Sequence, residues 1–312
     1  MIKLITVAGP TATGKSALAV RLASRLNGEI ISGDSAQVYR GMDIGTAKVT
    51  SDEMCGVPHH LIDILDINCP FSAGSFACLA GDKAEEIHNC GKVPFIAGGT
   101  GLYIDALTGG KAFSETKDSD PAVRAELMRK AETEGALSLH AYLASIDTAA
   151  AAEIHPNNVK RVARAIEIYL VTGRTKTELL AEQKAQSRFK RCLIVLNAPD
   201  RQLLYERINA RVDRMFEQGL EQEAYRLWRL GLENTPTAGQ AIGYKELFPY
   251  FRGLISLDTA KENIKQATRN YAKRQVTYFK RMEDALVLDC TESSDVIYEK
   301  ALSACERFLA EQ

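Results

Sequence analysis

Apolar residues follow two rhythms along this chain, and the switch between them predicts its organisation. Ile2 to Ala8 is a short, nearly continuous apolar run, the pattern of a strand covered on both faces, and helical spacing follows from Lys15 to about Leu26. Glu29 to Ser32 reads again as strand, Ser75 to Asn89 as helix, and Val93 to Ala97 as strand. Strands separated by helices in this way predict a parallel sheet wrapped by helices, an α/β fold. From about Lys117 the strand pattern stops, and Pro121 to about Lys184 is nearly all helix-forming, rich in Ala, Glu, Leu and Arg. Cys192 to Leu196 returns to strand, and Pro199-Asp200 opens a helix expected to run to about Leu230. Helical spacing resumes from Thr259 through Glu283 after the turn-rich stretch Asn234 to Gly253. The economical division is a core made of 1–116 and 191–312, interrupted by a mostly helical insertion over 117–190.

With 312 residues and 46% hydrophobic content, the chain can bury a substantial core. A net charge of −1 excludes a global basic field, so any nucleic-acid contact must come from local patches. The seven cysteines, at 55, 69, 78, 90, 192, 290 and 305, include no C-x-x-C pair and no disulfide-framework spacing, which predicts reduced thiols. An N-terminus that enters a core strand directly, with no apolar stretch long enough for a bilayer, predicts a soluble cytoplasmic protein.

The junction of the first strand and helix carries the most specific chemistry. Gly9-Pro10-Thr11-Ala12-Thr13-Gly14-Lys15-Ser16 is a phosphate-binding loop in the context such a loop requires, which makes the core resemble that of P-loop NTPases. Glycines at both ends let the backbone curl round an anion with its N–H groups inward. Lys15 then reaches the outer phosphates, and the Ser16 hydroxyl is placed to hold Mg²⁺. The motif does not say which phosphorylated molecule it holds.

The segment Asp34 to Lys48 begins where the second strand ends, at the carboxyl edge that faces the ligand crevice of open α/β sheets. Asp34 is there a metal ligand, a general base or an N-cap. Gly98-Gly99-Thr100-Gly101 follows the next core strand, where the backbone can approach a ligand closely. P-loop nucleotidases typically carry an acidic residue at that strand end, to hold Mg²⁺ and organise the attacking water. Gly98 and Gly99 stand there instead, which weakens the ATPase and GTPase readings without excluding them, since Asp34 could supply the carboxylate. His59-His60 with Asp63 lacks metal-site spacing, because adjacent imidazoles do not easily converge on one ion.

Positive charge is clustered. Lys160, Arg161 and Arg164 lie on one side of a helix, and Lys261, Lys265, Arg269 and Lys273 recur every four residues, with Arg274 beside them and Tyr271, Tyr278 and Phe279 interleaved. Such stripes are either solvated helix faces or two sides of a grip on a folded RNA. Arg207, Arg211 and Arg214 share one face of the helix opened by Asp200. An arginine there either clamps an anion opposite Lys15 or pairs at the surface with Glu206 or Glu217.

In order, and over nearly the whole chain, these stretches resemble the tRNA dimethylallyltransferase family. The resemblance is carried by Gly9 to Ser16, Asp34 to Lys48, His59 to Asp63, Gly98 to Tyr103, Ile154 to Asn157 with Arg161 and Arg164 to Glu167, Arg211 to Asp213, Ala241 to Glu246, and Arg269 with Ala272 to Gln275. Thr13, Asn158 and Tyr278 depart from the family's usual Ser, Asp and Trp; the first two changes are chemically mild, and the third leaves an aromatic face able to stack.

The resemblance implies transfer of a dimethylallyl group from dimethylallyl diphosphate to N6 of the adenosine just 3′ of the anticodon of tRNA, with release of pyrophosphate. The loop Gly9 to Ser16 would then hold a leaving group, with Mg²⁺ at Ser16, and no water would need activating. Asp34 would accept the N6 proton, Thr100 would sit where the two substrates meet, and Arg211 would join Lys15 on the departing diphosphate. Contacts to the tRNA anticodon stem-loop are implied for Asp34, Ser35, Ala36, Gln37, Thr100, Arg124, Lys160, Arg161, Arg164, Gln240, Gly243, Tyr244, Lys245 and Gln275. A monomer is the default. The rival readings are a small-molecule kinase, an adenylate isopentenyltransferase acting on free AMP, and an RNA-binding regulator whose P-loop only switches conformation. The basic insertion disfavours the first two, and the third would release no pyrophosphate from the prenyl donor.

Overall fold

The structure, a computed structural model, describes residues 1–108, 120–185 and 188–311. The expected boundary at 116–117 lies outside the described residues. The chain divides into two compact units, one formed by Met1–Ser72, Leu79–Ile104 and Phe189–Gln312, the other by Ala73–Cys78 and Asp105–Arg188.

The first unit is built on a parallel sheet. Its strands are β1 (Ile2–Ala8), β2 (Gly28–Ser32), β3 (His59–His60), β4 (Val93–Gly98), β5 (Phe189–Asn197) and β6 (Ala285–Asp289), in the order β3-β2-β4-β1-β5-β6. β1 is central, in register with β4 on one side and β5 on the other, and Leu4, Ile5, Val7 and Ala8 are fully buried. Burial on both faces is why this strand reads as a continuous apolar run. From β1 the chain crosses beyond β4 to reach β2, and from β4 it crosses beyond β1 to reach β5. The carboxyl ends of β1 and β4 therefore flank the topological switch point, where open α/β sheets hold their ligands.

Three features of this unit differ from the sequence expectation. The helix opened by Asp200 stops at Glu217, spanning Arg201–Glu217, and a new helix runs from Leu220 to Arg229. Gly219 causes the break, adopting a φ of 100° between the two. The helix expected from Thr259 to Glu283 spans Leu257–Phe279, and Ser256 caps it by accepting the Thr259 N–H. β6 and the final helix, Ser294–Ala310, were not expected. β6 is a short edge strand that pairs only with β5 among the described residues, and the helix buries Ile297, Ala301, Cys305 and Phe308 in the sheet's core.

The second unit is helical where described. Asp120 caps the helix Pro121–Glu134 through the N–H groups of Ala122 and Val123, and Gly173 ends the helix Val159–Thr172 in the left-handed conformation. Leu127, Leu139, Leu143, Val162 and Ile166 form its core. Ala73–Cys78 joins this unit from far away in sequence. Among the described residues no helix is long and apolar enough to cross a membrane.

Candidate functional site

β1 ends in the loop Gly9–Ser16, which turns directly into α1 (Lys15–Arg25). Gly14 caps this helix with a φ of 85°, and the Thr13 hydroxyl donates to the Pro10 carbonyl at 2.9 Å, which closes the loop on itself. The first N–H groups of a helix have no intrahelical acceptor, so they are left to an anion seated in the loop. Among the described residues Lys15 Nζ reaches only the Pro10 carbonyl, at 3.3 Å. Burial and the nearby Arg211 guanidinium pull its pKa from 10.5 to about 8, against a smaller opposing pull from Asp34.

Arg211 comes to the loop from the helix Arg201–Glu217. It makes no hydrogen bond or ion pair among the described residues, and burial lowers its pKa while Asp34 partly restores it. The surface pairing with Glu206 or Glu217 therefore does not form among the described residues. Two cations thus converge here, each disfavoured by burial and only partly compensated by the Asp34 carboxylate, an arrangement that a further anion would relieve. Arg207, a turn earlier, is committed elsewhere, donating to the Cys290 carbonyl at 3.3 Å.

Asp34 follows β2 on the other side of the loop. One of its oxygens accepts the Ala36 N–H at 2.9 Å, and its charge reaches Lys15, Arg211, Tyr103 and Tyr271. Burial raises the pKa of both phenols, and the Asp34 carboxylate raises them further. Asp34 is thus a partly buried carboxylate walled by two protonated tyrosines. The sequence offers Tyr271 only as an aromatic interleaved with the basic stripe and Tyr103 only as the end of the glycine-rich stretch, because neither spacing shows that they meet Asp34. Thr100 Oγ1 is buried without a hydrogen-bond partner; the Tyr271 hydroxyl lies beside it but outside bonding geometry. An unsatisfied buried hydroxyl is costly, so a polar group of a substrate is its natural partner.

The strand end that lacks an acidic residue is sterically closed. A Cβ on Gly98 would fall on the Gly33 carbonyl, and Gly33 N–H donates to Ala97 O at 2.8 Å, so the ends of β2 and β4 are pressed together. Position 98 therefore leaves no room for a side chain.

Residues 34–48 are held in place by their own polar groups. Gln37 accepts from Ser32 Oγ at 2.9 Å and donates to the carbonyls of Thr46 and Ala47. Lys48 bridges Asp43 and Asp63 at 2.6 and 2.5 Å. Glu223 accepts the N–H groups of Asp43, Ile44 and Gly45 and the Tyr244 hydroxyl, the last at 2.6 Å. His59 meets the Val57 carbonyl and His60 the Glu29 carboxylate, so both imidazoles are occupied in structure.

The profile of the family described as "IPP transferase" matches residues 37–282, and that described as "Isopentenyl transferase" matches 2–69. The chain belongs to the IPP transferase family. A "tRNA dimethylallyltransferase" of Bacillus subtilis is 48% identical over 297 residues, covering 95% of this chain and 94% of the relative. A crystal structure of a tRNA isopentenylpyrophosphate transferase from Staphylococcus epidermidis superposes with a TM-score of 0.73 at 44% identity, covering 98% of this chain and 99% of that one. A eukaryotic dimethylallyltransferase described as acting on tRNA superposes with a TM-score of 0.81 at 32% identity, covering 99% of this chain and 78% of that one.

Within this family member, the residues expected at RNA are placed unequally. Lys160 and Arg161 are exposed and make no side-chain ion pair among the described residues. Arg124 and Arg164 instead both hold the buried Glu167 carboxylate, at 2.9 and 3.0 Å. Burial works to raise the Glu167 pKa, but the two guanidiniums more than offset it and leave it lowered. Gln240 and Lys245 are exposed, whereas Gly243 and Tyr244 are buried. The stripe Lys261 to Lys273 is largely spent on neighbouring groups: Lys265 pairs with Asp213, Arg269 bonds Asn209, and Lys261 and Lys273 lie over Phe216 and Tyr205. Gln275 is 5% exposed, with both ends of its carboxamide bonded inside the protein. That geometry is at odds with the RNA contact expected of it.

Proposed function

We propose that the chain transfers a dimethylallyl group from dimethylallyl diphosphate to N6 of the adenosine just 3′ of the anticodon of tRNA. The observation that carries this is that Lys15 and Arg211, neither of them ion-paired among the described residues, lie within electrostatic reach of one carboxylate, Asp34, beside a strand end where position 98 leaves no room for a side chain. Charge that must be met on a departing diphosphate, and a proton that must be accepted from an amine, call for these groups and no others.

In the reaction the N6 lone pair attacks the allylic C1 and the N6–C1 bond forms. The C1–O bond breaks, and its electron pair leaves with pyrophosphate. The backbone N–H groups of the loop, Lys15 and Arg211 stabilise that developing charge, where preorganised donors act most strongly. Asp34 takes the N6 proton, and Thr100 Oγ1 meets the flipped-out base or its amine at the junction of the substrates. A diphosphate-borne Mg²⁺ fits this loop. The Ser16 hydroxyl is exposed and makes no hydrogen bond of its own, and no cluster of three acidic, His or Cys ligands exists among the described residues to hold a cation without the diphosphate. When bound, the ion would share the neutralisation of the leaving group.

The helical unit is the tRNA-binding part in this reading, through Lys160 and Arg161, with Arg124 and Arg164 held ready by Glu167. Gln240 and Lys245 contribute from the other unit, and the enzyme works as a cytoplasmic monomer. Incubation with dimethylallyl diphosphate and unmodified tRNA, followed by mass analysis of the nucleosides, tests the reading. A prenylated adenosine supports it, and ATP hydrolysis with no prenyl transfer refutes it.

A further inference from the structure

We propose that Gln275 is a positioning residue that locks the phosphate-binding loop to the Thr100 turn, so that leaving group and acceptor are held at one spacing. The proposal rests on the transfer reading above. Gln275 lies on the long helix Leu257–Phe279 and is buried. Its Oε1 accepts the Thr11 N–H at 3.0 Å, and its Nε2 donates to the Gly99 carbonyl at 2.9 Å. One carboxamide thus joins the loop after β1 to the turn after β4, and these two segments carry the proposed diphosphate cradle and the proposed meeting point of the substrates.

The turn is shaped to receive it. A Cβ on Gly99 would fall on Gln275 Nε2 and would stand 3.3 Å from the Gly9 carbonyl of the loop. One turn further along the same helix, a Cβ on Gly101 would fall on the Tyr278 ring. The helix therefore keys into the turn at two glycines on either side of Thr100. The Thr11 N–H is spent on Gln275, so the bridge also fixes the orientation of a loop peptide. Displacement by about 1 Å at a reacting centre costs about 100-fold in rate, which is the scale on which such a lock acts.

Four variants test the lock: Gln275→Leu, which removes both bonds at nearly constant volume, Gly99→Ala, which evicts the carboxamide, Gln275→Ala, and Gly99→Ala combined with Gln275→Ala. Leu302→Ala, a truncation in the final helix, serves as a control for general loss of stability. Expected for Gln275→Leu are faster hydrogen exchange at the Thr11 amide than in the control, weaker binding of inorganic pyrophosphate, and a kcat lower by about ten- to a hundredfold. tRNA affinity should stay within about twofold. Gly99→Ala should behave alike, and adding it to Gln275→Ala should cost little more than Gln275→Ala alone, because neighbours that share one interaction are not additive. Turnover and Thr11 exchange no different from the control would overturn the proposal. So would lost tRNA affinity with normal kcat, which would make Gln275 an RNA contact. If the wild-type protein transfers no prenyl group, the transfer reading fails, while Thr11 exchange and pyrophosphate affinity still decide the bridge.

Discussion

Lys15 should couple diphosphate binding to proton uptake, with a size and a pH window that follow from its surroundings. In the ligand-free loop its pKa falls from 10.5 to about 8, through burial first and Arg211 second. That difference corresponds to about 3 kcal/mol in favour of the neutral amine. A diphosphate beside the amine reverses the local field, so the complex retains the proton well above pH 8. Below about pH 8 the free protein is already protonated, and binding takes up nothing. As pH rises above about 8 the free amine becomes neutral while the bound one stays charged. One proton is then taken up per ligand, and affinity falls by about tenfold per pH unit.

Stability of the unliganded protein moves the other way over that window. The unfolded chain there binds more protons than the folded one, so the penalty for burying the charge, present below the folded pKa, is relieved as pH rises. Calorimetry with a non-reactive alkyl diphosphate, in two buffers of different protonation enthalpy, measures the uptake directly. It should be near zero at about pH 7 and approach one proton at about pH 9.5. Lys15→Arg should abolish the linkage, because a guanidinium does not titrate in this range. Equal uptake at both pH values, or in the Lys15→Arg variant, would refute the assignment of Lys15 as the cation that meets the diphosphate.

Asp34→Asn should lower kcat by about 100-fold or more and leave tRNA affinity nearly unchanged, since only the proton acceptor is lost; unaltered single-turnover rates would remove Asp34 from the chemistry. Thr100→Val should hold or raise the melting temperature, because it deletes a buried hydroxyl that has no partner, yet slow transfer; a large loss of stability would contradict the orphaned hydroxyl. Lys160→Ala with Arg161→Ala should weaken tRNA binding and flatten its salt dependence by about 0.7 to 0.9 per lost phosphate contact; an unchanged slope returns that helix face to solvent. Arg164→Ala should instead cost stability, about 1–3 kcal/mol, by leaving the buried Glu167 short of a partner. Because the Glu167 pKa is lowered in the folded state, that contribution is present above its ordinary value of 4.5 and lost as pH falls below it, so acid unfolding curves of Arg164→Ala and wild type should converge.

Much of this protein is legible in its sequence because the informative features are local. The phosphate loop needs only a strand, a glycine-bounded turn and a helix in succession, and Ile2 to Arg25 spells all three. The buried parallel strands betray themselves as apolar runs, and Asp34 follows one of them directly. β6 escaped notice because an edge strand has no local rhythm, and the capped helix after it packs on a sheet formed far away in the chain.

Tertiary structure decided what each charged or polar side chain is for. Arg161 and Arg164 look alike on one helix face, yet one is exposed and the other is bonded to a carboxylate buried in its own unit. Arg207 and Arg211 are equally alike in sequence, but one spends its donors on Cys290 and the other is left facing Lys15 and Asp34. Gln275, which reads as part of a basic segment, lies buried between two loops that are remote from it in sequence. Spacing along a helix determines which residues share a face. Whether a donor on that face is free to meet a substrate depends on which acceptors the distant chain brings within about 3 Å, and that is set only when the sheet is assembled.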